Sequence, residues 1–522
     1  MARYKPYDYN QMNMVPLSLE NQLIPGTLEY AIHYIIEERV DLSMFNERYR
    51  NDDTGRRAIN PKVLLKIVLL GYSRGLTSSR PLEKACRENV MFMAMTCGEI
   101  PDHSTIAAFV SSMENEITPL FTQVLLICDE EGLLGGTHFS IDGVKLPSNA
   151  SKEWSGKFDD LKIKKERIEK KIEEIIEEHK AEDKKFEKAK SKDKDDENNK
   201  KNNDRLKKLK QKAEKIEKFL KENEPRTGTT DKEVQSNVTD NESAKMVSSH
   251  GVIQGYNATA MVDEKHQVIA YAEAFGENED SRHTRPMLEG VKKNLEEVGQ
   301  ENPLKGKVVT ADNGYFSVDS LKACEEFEMD AYIPDSKYRK RDPRLEGAEK
   351  YKRATDRKKT NNKKGKGLFT VDDFKYDAQS DRMICPAGIP MYIRNRNFKT
   401  AQGFKGINYQ APKTGCRNCK LKSKCLRNPN TVSRQIHVFN EKASGSLTDD
   451  MKRKIDSPSG RRTYSKRLGI VEPVFANIRA QKRMDRFTLR SKVKVNTQWL
   501  LYCLVHNIEK IVNFGERYSA VT

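Results

Sequence analysis

The sequence predicts a mixed α/β protein with an all-helical N-terminal region, a coiled-coil hairpin and a small cysteine-rich insertion. Three patterns carry that reading. Strand-like runs alternate with amphipathic helices between residues 250 and 335, the order of a mixed sheet with covering helices. Apolar residues recur at three- and four-residue steps through a stretch rich in Lys, Glu and Asp from about 157 to 223, the mark of a coiled-coil seam. Four cysteines gather in the C-terminal half, at Cys385, Cys416, Cys419 and Cys425.

In chain order, the helices come first. Asn60 to Leu76 places Val63, Leu64, Ile67, Val68 and Leu70 at helical spacing behind Pro61, a residue suited to a first turn. A second helix is predicted from Ser78 or Ser79, with Glu83 placed to support its start. Pro101 to Val110 opens a third, capped by Asp102 or Ser104. Short helices with tight turns suit a helix-turn-helix-like DNA-binding bundle, and suit an ordinary helical core equally well.

The period then changes. Thr137 to Leu146 is β-prone and partly alternating, hence a strand. Leu161, Ile168, Ile172, Ile175 and His179 set one seam, and Leu206, Leu209, Ala213, Ile216 and Leu220 a second. Ser191 to Asp204 has no seam, which predicts an antiparallel hairpin of two helices with a polar tip. Further strands are expected at His250–Asp263, His266–Phe275, Lys307–Asp312 and Asp330–Asp335, with helices at Met287–Gly299 and Ser320–Glu328 between them. Lys337 to Gly367 reads as a basic loop, and a helical pattern returns from about Ser465. The predicted domains are 1–130 (helical, DNA-binding) and 131–515 (catalytic). The second is interrupted by the hairpin at 155–226 and the cysteine-rich segment at 376–432.

Composition narrows the function. Lys plus Arg is 94 against 77 for Asp plus Glu, a net charge of +17 in 522 residues, and so basic a chain calls for a polyanionic partner, nucleic acid above all. No run approaches the ~18–20 apolar residues of a transmembrane helix. The opening MARYKPYDYNQMNMVP lacks the apolar core of a signal peptide. An odd nine cysteines fit a reducing compartment better than a disulfide scaffold.

Phosphodiester chemistry with two metal ions needs converging carboxylates, because Mg²⁺ prefers oxygen ligands. Three acids stand in suitable contexts. Asp142 lies in the β-rich run SIDG. Asp312 ends the strand VVTAD and is followed by Asn313-Gly314, a turn pair; strand ends of α/β sheets are where ligands bind. Glu472 sits in GIVEPVF with Tyr464, Arg467 and Arg479 close in sequence, and equally suits a helix N-terminus. Arg461, Arg462, Lys466, Arg467, Arg479, Lys482, Arg483 and Arg486 form a basic surround, of which one helical face can meet phosphates.

Several ordered blocks together resemble the DDE transposases of bacterial insertion sequences. Arg57 to Phe109 is similar to the family's N-terminal domain, and FSIDGVKLPSNAS (Phe139 to Ser151) to its first-Asp block. HGVIQGYNATAMVDEKHQVI, with Asp280 and His283 beyond it, resembles the following strands. VVTADNGYFS (Val308 to Ser317) resembles the second-Asp block, and YSKRLGIVEPVFANIR (Tyr464 to Arg479) the Tyr-Arg-Glu-Lys signature. The last basic position of that signature is Arg479 rather than the frequent Lys, and the two cations are not interchangeable at a tight phosphate contact. The spacing from Arg467 to Glu472 also departs from the commonest one.

The resemblance implies an RNase H-like catalytic fold with Asp142, Asp312 and Glu472 as triad and ligands of two Mg²⁺ ions, Mn²⁺ substituting. Tyr464, Arg467, Arg479, Lys482 and Arg483 would contact DNA. It implies cleavage at the ends of the mobile element and strand transfer to target DNA. The partners would be double-stranded DNA (terminal inverted repeats and target) and a second copy of the chain on that DNA, in the bacterial cytoplasm at the nucleoid, with no membrane and no small-molecule substrate. The hairpin would be a dimerisation arm, a DNA clamp or a spacer. A nuclease without strand transfer and a DNA-binding protein that has lost catalysis are the competing readings. The four clustered thiols, Cys416-x2-Cys419-x5-Cys425 with Cys385, offer a tetrahedral structural Zn²⁺ site, or stand as buried free thiols. His103 and His250 are left outside the site, and Trp499 is read as core.

Overall fold

The computed structural model describes residues 18–49, 57–186, 195–228, 233–248, 251–345, 368–399, 405–428, 430–439 and 447–518. His250, most of the expected 337–367 loop (from 346) and the side chain of His179 lie outside the described residues. The chain divides into two compact units, Met1–Tyr332 with Thr463–Thr522, and Ile333–Arg462.

The first unit opens with helices α1 (Leu28–Tyr34), α2 (Pro61–Ser73), α3 (Ser79–Glu88), α4 (Val90–Thr96), α5 (His103–Ser111) and α6 (Ile117–Glu130). Asn60 caps α2 by accepting from the Lys62 N–H at 2.9 Å, with Pro61 in the first turn. Asp102 caps α5 by accepting from the Ser104 N–H at 2.7 Å. The α3 start differs from expectation. Ser78 makes no side-chain cap, and Glu83 instead accepts from the His103 N–H at 3.2 Å and lies 2.8 Å from its Nδ1. A contact across helices has taken the carboxylate that local spacing assigned to the helix start.

The central sheet holds six strands. β1 (His138–Pro147) is followed by the short pair β2 (Ser155–Gly156) and β3 (Ser236–Asn237), which closes the base of the hairpin. The hairpin helices are α7 (Phe158–Phe186) and α8 (Asp195–Glu222). α8 is already helical from Asp195, inside the segment expected as the polar tip. Packing concentrates at the base, where Phe158, Leu161, Ile216 and Phe219 form a small core with Trp154, Ile168 and Leu220. Burying each such side chain contributes roughly 1.5–3 kcal/mol, and Leu206 and Leu209 further out are only half-buried.

The sheet continues with β4 (Ala244–Ser248), β5 (Gly251–Asp263), β6 (Ile269–Phe275), β7 (Val308–Ala311) and β8 (Asp330–Tyr332), interleaved with α9 (Thr284–Glu297) and α10 (Val318–Glu326). The order is β4-β5-β1-β7-β8, with β6 also paired to β5. β1 runs antiparallel to β5 and parallel to β7; β7 and β8 are parallel. β5 is buried from Ile253 to Asp263, as expected of a strand covered on both faces. β4, an edge strand containing Lys245 and Ser248, was not among the predicted strands.

The second unit carries α11 (Tyr338–Arg341), inside the segment expected as a loop, and an antiparallel sheet in the order β13-β12-β11-β10-β9. Its strands are β9 (Lys375–Asp377), β10 (Arg382–Ile384), β11 (Pro390–Lys399), β12 (Lys405–Gln410) and β13 (Gln435–Phe439). Short helices α12 (Lys413–Arg417) and α13 (Lys422–Cys425) lie between β12 and β13, and α14 (Leu447–Asp456) follows. Phe374, Met383, Met391, Tyr409, Ala411 and Ile436 form its core, with Cys385, Cys416 and Cys425 packed against it.

The chain ends in α15 (Pro458–Ala476), a π-helical turn (Asn477–Gln481) and α16 (Lys492–Phe514). α16 serves sheet and N-terminal helices alike. Trp499 is fully buried and donates Nε1–H to the Thr259 carbonyl of β5 at 3.0 Å. Asn507 bonds both the N–H and the carbonyl of Ile269 at 2.9 Å, and Tyr502 stacks on Tyr72 of α2 with ring centres 4.5 Å apart. Among the described residues, no helix is long and apolar enough to cross a membrane.

Candidate active site

Register brings the two aspartates together. β1 and β7 are parallel with Ile141 opposite Ala311, so the next residue of each strand, Asp142 and Asp312, lies side by side at the β7 carboxyl end. Asp142 Oδ1 accepts from the Gly143 N–H at 2.9 Å, and Arg467 of α15 donates from Nη1 to its Oδ2 at 2.9 Å. Asp312 accepts from the Gly314 N–H at 2.7 Å, which fixes the turn after β7.

Both aspartates line a cavity of about 280 Å³ with Gly143, Lys145, Asp280, Tyr315 and Arg479. A neighbouring cavity of about 520 Å³ shares Asp142, Gly143, Val144 and Arg479 and adds Glu472 and Asp485. Glu472 is exposed and lies well inside α15, so a role as a helix N-terminal acid does not apply. Arg479 sits in the π-helical turn, borders both cavities, and keeps a buried Nε–H without a partner. π-turns of this kind recur at functional sites.

Asp280, which follows the strand blocks of the resemblance, is a further carboxylate of this cavity that the expected site residues do not include. It lies in a 3₁₀ turn (Asp280–Arg282) before α9. Asn257 of β5 donates to its Oδ1 at 2.5 Å, and the Lys145 ammonium stands 3.6 Å from its Oδ2. Lys145 and Asn257 are register partners across β1 and β5, so one rung of the sheet orients Asp280. Asp280 stands in a turn, and no strand-end pattern marks such a residue.

The electrostatics fit a crowded acidic site. Burial raises the Asp142 carboxyl above its usual range, opposed by Arg467 and the Gly143 N–H and reinforced by Asp312. Burial likewise raises Asp280, opposed by Lys145 and Asn257 and reinforced by Asp312. Tyr315, fully buried beneath the carboxylates, is pushed far up by burial and by Asp142, Asp280 and Asp312. His283 is lowered to about 3 by burial and then by Lys145, Lys492 and Arg282, so its ring is neutral beside Asn257.

The donor chemistry suits a hard divalent cation. Carboxylates from β1, the β7 turn and the Asp280 turn share one cavity, and the buried amide oxygen of Asn257 has no hydrogen-bond partner. Space is kept at two glycines. A Cβ on Gly314 would lie 2.6 Å from Asp280 Oδ2 and 2.9 Å from Asp312 Oδ1, and one on Gly143 2.6 Å from Asn257 Oδ1.

The expected DNA contacts divide. Arg479 faces the site, and Arg483 is exposed with its side chain along Gly75. Arg467 is buried and committed to Asp142, and it also bonds Tyr464. Lys482 does not reach the surface. It is fully buried, 2.5 Å from Glu509 Oε2 and bonded to Asn477, because the π-helical turn rotates the following residue inward. Arg461 pairs with Asp342 at 2.5 Å and Lys466 with Glu264 at 2.8 Å.

In the second unit, Cys385, Cys416, Cys419 and Cys425 line one small cavity with Ile389 and Leu426. Burial raises the Cys425 thiol, as do Cys416, Cys385 and Cys419 near it. The only trio of possible ligand atoms within 4.8 Å of one another among the described residues lies elsewhere, at Glu83, Asp102 and His103. The α5 cap and the clasp between α3 and α5 account for that trio.

Two families match the chain. Residues 384–512 match the family described as "Transposase DDE domain", a span holding the cysteine cluster, Arg467, Glu472 and Arg479. Residues 17–112 match "Transposase domain (DUF772)", a span holding α1 to α5. Both matched families are described as transposase families, and each match covers less than half of the chain. The chain therefore carries its family matches toward both ends, and β1, the hairpin, β7 and the Asp142–Asp280–Asp312 cavity lie between them. No curated protein and no solved structure matches the chain.

Proposed function

We propose that the protein cuts DNA at the ends of an insertion sequence and joins those ends to target DNA, with Asp142, Asp312 and Glu472 as the acidic triad. The observation that carries this reading is the side-by-side emergence of Asp142 and Asp312 from paired parallel strands into one cavity, beside an Arg479 bordering the cavity of Glu472. In the first reaction water adds to the scissile phosphorus and the bond to the 3′ oxygen breaks, freeing a 3′-hydroxyl. In the second, that oxygen adds to a target phosphorus and displaces the target's own 3′ oxygen.

The three carboxylates would hold two Mg²⁺ ions, with Mn²⁺ as substitute, which supply water activation and neutralise developing charge when bound. The chain's own groups do the positioning. Arg467 and the Gly143 N–H fix the Asp142 carboxylate, the Gly314 N–H fixes Asp312, and the unpartnered Nε–H of Arg479 suits a phosphate oxygen. The helices α1 to α6 would bind the element ends, and two copies would pair those ends at the nucleoid in the bacterial cytoplasm.

The test is cleavage and joining on the gene's flanking DNA with Mg²⁺ or Mn²⁺. Wild type is compared with Asp142→Asn, Asp312→Asn and Glu472→Gln. The proposal requires that wild type cut and join while each variant binds the ends and does neither. Cutting without joining would leave a nuclease, and binding without cutting would leave a DNA-binding protein.

We infer in addition that the four clustered thiols hold a structural Zn²⁺, which four thiolates would enclose without an open position. Metal analysis of the purified protein should find one zinc per chain, lost in Cys416→Ser/Cys419→Ser.

A further inference from the structure

We propose that Asp280 is a fourth carboxylate of the metal site, sharing a divalent cation with Asp312, and that Lys145 occupies its charge until the cation binds. This rests on the metal-site reading above and adds a residue to it. Asp280 and Asp312 come from separate elements, the turn before α9 and the turn after β7, yet both reach within 3.0 Å of one point, where a Gly314 Cβ would sit. Their approach is therefore a property of the tertiary fold and not of neighbouring sequence. Like charges so close need a cation between them or beside them.

Lys145 is the cation on hand. Its ammonium stands 3.6 Å from Asp280 Oδ2, too long for a strong hydrogen bond. Asn257 supplies the independent observation. It is fully buried, and its amide donates to Asp280 Oδ1 at 2.5 Å. That contact sets which way the amide points, and leaves its oxygen buried at Gly143 with no partner. An orphaned acceptor beside a group of carboxylates calls for a donor, and the water of a hydrated divalent cation is one. Buried polar groups left without partners are uncommon and call for a cause.

The assignment gives Lys145 and Asp280 opposite effects on cation binding. Removing the carboxylate weakens binding, whereas removing the ammonium relieves a competitor.

The experiment is Mn²⁺ binding to the full chain without DNA, read from the loss of the free Mn²⁺ electron-paramagnetic signal, with folding followed by circular dichroism. Asp280→Asn should weaken Mn²⁺ by at least about tenfold, the lower end of what loss of a supporting group costs a metal site, and Asp312→Asn should do the same. Lys145→Met should tighten it, and the gain should vanish when combined with Asp280→Asn. Wild-type affinity in folded Asp280→Asn, with binding lost in Asp312→Asn, overturns this assignment and leaves the triad standing. Unchanged binding in Asp142→Asn and Asp312→Asn overturns the metal site itself, and this proposal with it. If Asp280→Asn fails to fold, Lys145→Met decides alone: unchanged or weaker Mn²⁺ binding counts against the assignment.

Discussion

Arg467 donates to Asp142 at 2.9 Å from a buried position, so the two form an ion pair within the first unit. Burial and the nearby Asp312 already push the Asp142 carboxyl up, and Arg467 is the largest influence holding it down. Breaking a buried pair by removing one partner typically costs about 3–5 kcal/mol. Asp142 can escape part of that cost by taking up a proton. Arg467→Met should therefore lower stability more at pH 7 than at pH 4. Adding Asp142→Asn should recover most of the loss without restoring cleavage. Urea denaturation at the two pH values measures this, and an equal loss at both would show that the pair does not set the Asp142 charge.

Gly314 should tolerate no side chain. Its Cβ would press on Asp280 and Asp312 at 2.6 and 2.9 Å, tighter than ordinary van der Waals contact. The backbone there is an ordinary 3₁₀ turn, so the damage falls on the carboxylates and spares the fold. Gly314→Ala should cut DNA at least about tenfold more slowly, since small misplacements of reacting groups cost up to about a hundredfold. Its circular dichroism and end binding should match wild type. Full cleavage by Gly314→Ala would mean that the two aspartates need not hold this approach.

The strand that holds Asp142 and the turn after Asp312 are legible in a β-prone run and an Asn-Gly pair, whereas the adjacency of the two aspartates depends on the parallel register of β1 and β7. That pairing crosses 170 residues, including the whole hairpin, and no local pattern encodes it. Lys482 was misplaced for a related reason. A helix of constant period would leave it among the surface cations, but the π-helical turn Asn477–Gln481 shifts the phase and buries it. The edge strand β4 escaped because its five residues have little alternation. The hairpin seams follow helical spacing, yet at the base Phe219, outside the expected seam, packs with Phe158 beside the expected Leu220.

Two buried histidines should make the fold acid-sensitive well above the carboxylate range. His283 and His506 are each lowered to about 3, both chiefly by burial. A depressed folded value means stability is fully present above the unfolded value near 6.5 and is lost as pH falls toward 3. Over that window each contributes a slope approaching about 1.4 kcal/mol per pH unit. The denaturation midpoint should fall between pH 7 and pH 5, and fall less in His283→Gln. A pH-independent midpoint over that interval would show that neither ring is held neutral by the fold.

Lys482 and Arg479 stand three residues apart and should separate stability from DNA chemistry. Lys482 is enclosed with Glu509 and Asn477, and burial lowers its ammonium against the pull of Glu509. Lys482→Ala should cost about 3–5 kcal/mol by stranding Glu509. Lys482→Met with Glu509→Leu should regain most of that and bind element ends like wild type, because replacing both partners of a buried pair is often neutral or stabilising. Arg479→Ala should behave in the opposite way. Its guanidinium borders both acidic cavities, with a buried N–H awaiting a partner, so its loss should leave the melting curve in place and weaken cleavage and end binding. Gel-shift and melting measurements on the same variants decide it. A folded Lys482→Met/Glu509→Leu protein that fails to bind DNA would return Lys482 to the DNA interface.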